Sequence, residues 1–367
     1  MSDRAAKLGP LSLAASAFQP YLLGTARRWR RMRRNELAAR IGVTPAAVSQ
    51  YERGQARPST TVLARLALAT GMPVEFFAAL TVAPDLGHTH FRSLRATSQA
   101  DRDQAEAFGE LAWRPVQAIE HHLHLPALAL PTLDNPEPAS TTEVEAAAVA
   151  ARAAFDLGNG PVPHMVRLLE AHGVVVLTLP EVSSRVDAFS RRYGARPFVF
   201  ANPTKNDKAR SRMDAAHELG HLLLHPDTEP GSQIIERQAT EFGSQFLAPS
   251  HVLRDELPTR LDFDRLGELK RRWAISLKAL IYRGHAMGIY RDRTYHRGMN
   301  QLANWGYPEP ADLGPNEHPT LLGTAVSMLA DRDITPSVLA RQAALPIDLA
   351  QAILASGSDG TPKLHLV

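Results

Sequence analysis

Apolar positions along this chain recur with two different periods. Between residues 21 and 80 they fall three and four apart, in short runs separated by Gly and Pro, which is the repeat of amphipathic helices. The pattern predicts a helix over Tyr21–Arg33, short helices within ELAARIG and TPAAVSQYERG, and a further one within PSTTVLARLALATGMPVEFF. Gly42 permits a sharp turn between the second and third, Thr44 caps the third, and Pro45 occupies its first turn. Leu37, Ala38, Ile41, Val43 and Val48 supply a small core, and the unit reads as a helix-turn-helix. Residues 1–20 read as an N-terminal tail. Residues 81–138 read as a helical linker of two helices, ending in the break Pro131–Pro138.

Beyond that break, Glu143–Asp156 and Val166–His172 are expected as helices. The chain then reads as strands: Val174–Leu179, and an antiparallel pair Val186–Ser190 and Pro197–Ala201 around Tyr193-Gly194. A peptide could add as a strand to the edge of such a sheet. Helical spacing returns over Leu266–Tyr290, as two helices around Ser276 that look helix-turn-helix-like, and over Thr335–Leu354. In that last stretch Leu339, Leu345, Leu349 and Ile353 form an apolar stripe, expected either to cover a cleft or to close a small core of its own.

The most informative stretch is DAAHELGHLLLH, Asp214 to His225. His217 and His221 are four residues apart, so on a helix their imidazoles share one face and can share one metal ion. Glu218 stands next to His217, placed for general-base work in metal-assisted hydrolysis. After the breaker run Pro226–Gly231, Ile234–Pro249 reads as a second helix with apolar positions at Ile235, Ala239, Phe242, Phe246 and Leu247. The short turn makes the two helices antiparallel neighbours and returns Glu236 towards His221. His225 continues the series, but helical drift turns it from the metal-facing side, and it reads as a C-terminal complement to the helix dipole. Glu241 is five residues beyond Glu236 and points elsewhere.

HELGHLLLH together with ERQATEFGSQFLAP resembles the ImmA/IrrE-type metallopeptidases, and the likeness extends upstream through RPFVFANP (Arg196–Pro203) and Arg212. The resemblance implies a zinc ion held by His217, His221 and Glu236, with Glu218 as general base. Manganese or iron also suits such a donor set. Where relatives often carry Asn or Asp, this chain has Thr240, a difference that touches only a contact behind the ligands. In the N-terminal module, ERG followed by Pro58, after Val48-Ser49-Gln50-Tyr51, resembles the XRE (Cro/repressor-like) DNA-binding family. That likeness implies a third helix entering the major groove, with Thr44, Ala46, Ala47, Ser49 and Gln50 facing DNA. Arg34 stands where relatives often have Gln, which favours a phosphate contact.

Charge separates the two modules. Residues 1–80 hold 12 Lys and Arg against 4 Asp and Glu, a net of +8, while the remainder holds 29 against 34, a net of −5. Six arginines lie within residues 27–34, and Arg31 and Arg34 are the expected phosphate contacts. The chain has no cysteine, which excludes disulfides and thiolate zinc sites and fits a cytoplasmic setting. No apolar run is long enough to span a membrane. His88, His90, His121, His122 and His124 lack ligand spacing and read as surface histidines; His285 and His296 read as core or surface.

The expected architecture is multidomain: an all-α helix-turn-helix domain at 21–80, an α+β zincin-like peptidase domain at 139–305, and a helical C-terminal extension at 306–367. The expected function is a DNA-binding regulator with a fused zinc peptidase that cleaves a repressor- or antitoxin-like protein. Duplex DNA and that protein are its partners, and homodimerisation is left open. The alternative is a non-catalytic regulator whose metal site is structural or sensory. Self-processing at the linker is a third option.

Overall fold

A helix precedes those expected. In the computed structural model, which describes residues 9–78, 90–91, 98–133, 140–179, 188–202, 207–226, 228, 232–355 and 365–366, α1 (Pro10–Ser16) opens on proline and buries Ala14, so part of the expected tail is folded. It is followed by α2 (Pro20–Trp29), α3 (Arg34–Ile41), α4 (Pro45–Glu52), α5 (Thr60–Thr70) and a 3₁₀ turn at Val74–Ala78. The first basic helix was expected to run to Arg33 but ends at Trp29, because Arg31 takes a left-handed backbone (φ 55°) that breaks the helical ladder. Gly42 closes α3 in the same region (φ 71°), and Thr44 Oγ1 accepts from Ala47 N at 3.2 Å to cap α4.

The linker region departs further from expectation. After β1 (His90–Phe91), a single 22-residue helix α6 (Gln99–Glu120) replaces the two short helices, and it is a core element. Ala105, Phe108, Leu111, Val116 and Ile119 are buried between the helix-turn-helix and the sheet. A Cβ on Gly109 would meet Tyr193 Oη at 1.9 Å, so only glycine lets α6 lie this close to the sheet. His88, residues 92–97 and residues 134–138 of the Pro-rich break lie outside the described residues.

Beyond β2 (Leu123–His124) come α7 (Thr141–Ala154), α8 (Met165–Ala171), β3 (Val175–Thr178), β4 (Ala188–Tyr193) and β5 (Arg196–Ala201). The strand order is β1-β4-β5-β3, with β4 and β5 antiparallel, β3 and β5 parallel, and β1 antiparallel to β4. Alternation along the strands sends Phe189, Phe198 and Phe200 to the α6 side and Val176 and Val199 to the other. Against that second face packs α9 (Lys208–Leu224), which runs antiparallel to α10 (Gln233–Leu247).

The chain continues through α11 (Ser250–Glu256), α12 (Phe263–Trp273), α13 (Leu277–Ala286), α14 (Asp292–Trp305), α15 (Leu321–Ala330), α16 (Pro336–Gln342) and α17 (Ile347–Leu354), and β6 (His365–Leu366) pairs with β2. The turn between α12 and α13 repeats the one between α3 and α4. Ala274 is left-handed (φ 51°), and Ser276 Oγ accepts from Ala279 N at 3.0 Å, as Gly42 and Thr44 do earlier. At the start of α13, however, Leu277 N and Lys278 N donate to the Glu309 carboxylate at 2.8 and 3.2 Å.

Two cores result, one on each side of the sheet. The first joins α1–α6 to α15–α17, so Leu339, Leu345, Leu349 and Ile353 neither cover the metal-motif helix nor close a separate unit; they share a core with α6. Arg114 on α6 secures the contact by donating to Ala343 O at 2.8 Å. The second core joins α7–α14. The segment ahead of α15 crosses to it: Glu317 pairs with buried Arg212 and accepts from Val166 N, while Glu170 accepts from Thr320 N and Leu321 N.

Candidate functional site

Helix α9 begins on a capping bond, with Asp207 Oδ1 accepting from Arg210 N at 2.8 Å, and is buried on every side from Asp214 to Leu224. His217 and Glu218 are 0% exposed and His221 1%. Ser232 caps α10, placing Glu236 in its first turn, where the helix dipole favours an anion. The helices approach so closely that a Cβ on Gly243 would stand 3.0 Å from His217 N. That proximity brings Glu236 over the histidines.

His217 Nε2 and His221 Nε2 are 3.1 Å apart, and each is 3.4 Å from a Glu236 carboxylate oxygen. Zinc–ligand bonds of about 2.0–2.1 Å at tetrahedral angles separate neighbouring ligand atoms by roughly 3.3 Å. The three donors therefore match the face of a zinc tetrahedron. Among the described residues this is the one group of three metal-capable side chains.

Electrostatics keep these donors in the state a metal requires. Burial pushes the His221 imidazole down to about 4, against the pull of Glu236. Burial alone would raise the Glu236 carboxyl, but the adjoining imidazoles of His217 and His221 outweigh it and hold it at about 2. At neutral pH the histidine is unprotonated and the carboxylate ionised. Behind the ligands, Thr240 Oγ1 donates to Glu236 O at 2.8 Å and lies 3.2 Å from His217 Nδ1. With its own proton directed at that carbonyl, the hydroxyl accepts from His217 Nδ1–H and leaves Nε2 with its lone pair. The residue that departs from the family pattern thus still makes a contact behind the ligand.

Residues 169–285 match the IrrE N-terminal-like domain. A second match, to the helix-turn-helix family, covers residues 23–77. The chain therefore joins an XRE-type helix-turn-helix region to an ImmA/IrrE-type peptidase region, with α6 and the C-terminal helices outside both matches. No curated protein matches the chain. The IrrE-like region begins in α8 and ends in α13, so it contains strands β3, β4 and β5, both metal-motif helices and the repeated turn.

Sequence reasoning missed two features of this region. His225, expected only as a complement to the helix dipole, is the C-cap of α9, 2% exposed and bonded to His221 and Gln238. A cleft of about 870 Å³ lies on another face of α10, lined by Arg237, Glu241, Gln245, Arg254 and Tyr282. It shares no residue with the His-His-Glu group, whose donor chemistry outweighs cavity size as a guide to function. His285 bonds Tyr290 O and stacks on Tyr295, away from the metal ligands.

In the helix-turn-helix region, Thr44, Ala46 and Gln50 are exposed, and Ala47 and Ser49 are half-buried. The arginines are more committed than their sequence suggests. Arg27 and Arg34 both bind Glu52, the acid of the ERG string, at 2.5 and 2.6 Å. Arg31 pairs with Asp101 at 2.7 Å and Arg28 with Glu110 at 2.9 Å, both on α6, while Arg30 donates to Thr70 O. Much of the cluster fastens the module to its neighbours. No described helix is long and apolar enough to cross a membrane.

Proposed function

We propose that this protein is a cytoplasmic DNA-binding regulator whose IrrE-like region is a zinc-dependent peptidase acting on a repressor- or antitoxin-like protein. The observation that carries the reading is the 3.1–3.4 Å triangle of His217, His221 and Glu236 donors with Glu218 next in sequence to the first. A zinc ion bound there supplies Lewis-acid activation of water and of the scissile carbonyl. His217, His221 and Glu236 hold it, and Thr240 keeps His217 in the ligating tautomer. Glu218 takes the proton from the attacking water and returns it to the amine as the C–N bond breaks. Manganese or iron suits the same donors. Duplex DNA is bound through α4, with Thr44, Ala46, Ala47, Ser49 and Gln50 towards the groove and Arg31 and Arg34 towards phosphate, in a monomer or homodimer.

A second reading draws on the burial of His217, Glu218 and His221: a regulator in which the ion is structural or sensory. A Glu218→Gln chain separates the two. As a peptidase it keeps its metal and no longer cleaves; retained cleavage defeats the peptidase assignment.

A further inference from the structure

His225 is the C-cap of α9 and sits out of water, so both its ring nitrogens need partners. Its Nε2 lies 2.9 Å from Gln238 Oε1, and its Nδ1 lies 3.3 Å from His221 Nδ1. For neutral rings, with the Gln238 amide oxygen turned to His225, each proton along this row fixes the next. The Gln238 carbonyl oxygen only accepts, so His225 Nε2 carries the proton. A neutral imidazole protonated on Nε2 has its lone pair on Nδ1, so the proton between the two Nδ1 atoms belongs to His221. His221 Nε2 is then left with a lone pair, and this is the atom 3.4 Å from Glu236 Oε1.

We infer that His225 and Gln238 form a positioning relay for the metal site, holding His221 as its Nδ1–H tautomer and aiming Nε2 at the ion. The inference rests on the metal reading above and adds two residues outside the ligand set. The relay is directional: Gln238 orients His225, and His225 orients His221. Because Gln238 belongs to α10, the relay also ties the end of the metal helix to the helix that carries Glu236. Thr240 serves His217 by a separate route, so each histidine ligand has its own acceptor.

The test uses the full chain. His225→Phe keeps a ring and removes both nitrogens, whereas His225→Asn places an acceptor oxygen close to where Nδ1 stands. Zinc affinity is read by competition with a chromogenic chelator, and the cobalt(II) absorption spectrum reports coordination geometry. His225→Phe is expected to weaken zinc binding about 10–100-fold and to change the cobalt spectrum. His225→Asn should recover most of that loss, and Gln238→Leu should lose affinity by less than His225→Phe. Equal zinc affinity in wild type and folded His225→Phe overturns the relay, as does an Asn variant no better than Phe, which makes the role one of packing. Should His225→Phe not fold, unchanged affinity in Gln238→Leu overturns it instead. A wild type that binds no zinc overturns the metal reading together with the relay; a wild type that binds beside insensitive variants overturns the relay alone.

Discussion

Arg28 Nη2 donates to both carboxylate oxygens of Glu110, at 2.9 and 3.0 Å. Thr25 donates to the same carboxylate, and Arg191 on β4 lies 4.0 Å from it. One side chain of α6 thus meets the helix-turn-helix on one flank and the sheet of the IrrE-like region on the other.

This junction predicts a measurable coupling. In a double-mutant cycle of Arg28→Ala and Glu110→Gln, urea unfolding should give an interaction energy of about 1–3 kcal/mol. A value within error of zero makes the contact incidental.

Glu317 is expected to be more costly to lose. Its partner Arg212 is 1% exposed, and Glu317→Ala leaves that guanidinium buried with its principal charge partner gone. The expected loss is about 3–5 kcal/mol, read as a lower urea midpoint at constant slope. The paired change Arg212→Met, Glu317→Leu should recover much of it.

DNA affinity should fall steeply with salt, with a log–log slope of about −0.9 per phosphate contact. Gln50→Ala should reduce discrimination between sequences by about 1–3 kcal/mol and leave the slope unaltered. Arg34→Ala should flatten the slope by roughly one contact. Arg31→Ala should also release the bond to Asp101 on α6, so limited proteolysis between α2 and α6 should quicken in that variant. Binding insensitive to salt excludes the phosphate-dominated interface.

Glu170 sets a pH dependence. Burial raises its carboxyl from 4.5 to about 7, although Leu321 and Thr320 bonds oppose the rise. The folded state therefore binds the proton more tightly than the unfolded chain. Its contribution is complete below pH 4.5 and is lost as pH rises through about 7. Relative to Glu170→Gln, the wild type should lose on the order of 2–3 kcal/mol between pH 4.5 and 8. Parallel stability curves for the two proteins would rule this out.

What the sequence revealed was local. The His217–His221 spacing, Glu218 and the return of Glu236 follow from helical periodicity and one short turn, and so does the Gly42–Thr44 corner. What it concealed depends on distant partners. The apolar positions of α6 fit a linker helix equally well until the sheet and α16 are seen to lie against them. Likewise the stripe from Leu339 to Ile353 signals burial without naming its partner. The arginine run read as a phosphate-binding cluster because Asp101 and Glu110, which bind two of its members, are some 70 to 80 residues away. His225 was visible as the next step of the histidine series, but a period cannot show that its ring turns back to His221.

The carboxylate at the start of α13 bears on how a helical corner acquires a role. In a DNA reader, the leading end of the second helix faces outward and meets the polyanion with its backbone amides. Thr44, Pro45 and Ala46 leave that end of α4 open to solvent. Glu309 shuts the equivalent end of α13 by answering its amides from within the same chain, and Lys270 answers Glu309 in turn at 3.3 Å. The second corner is an insulated terminal: the same turn, the same cap and the same buried apolar flank, with the contact that could leave the molecule already closed inside it.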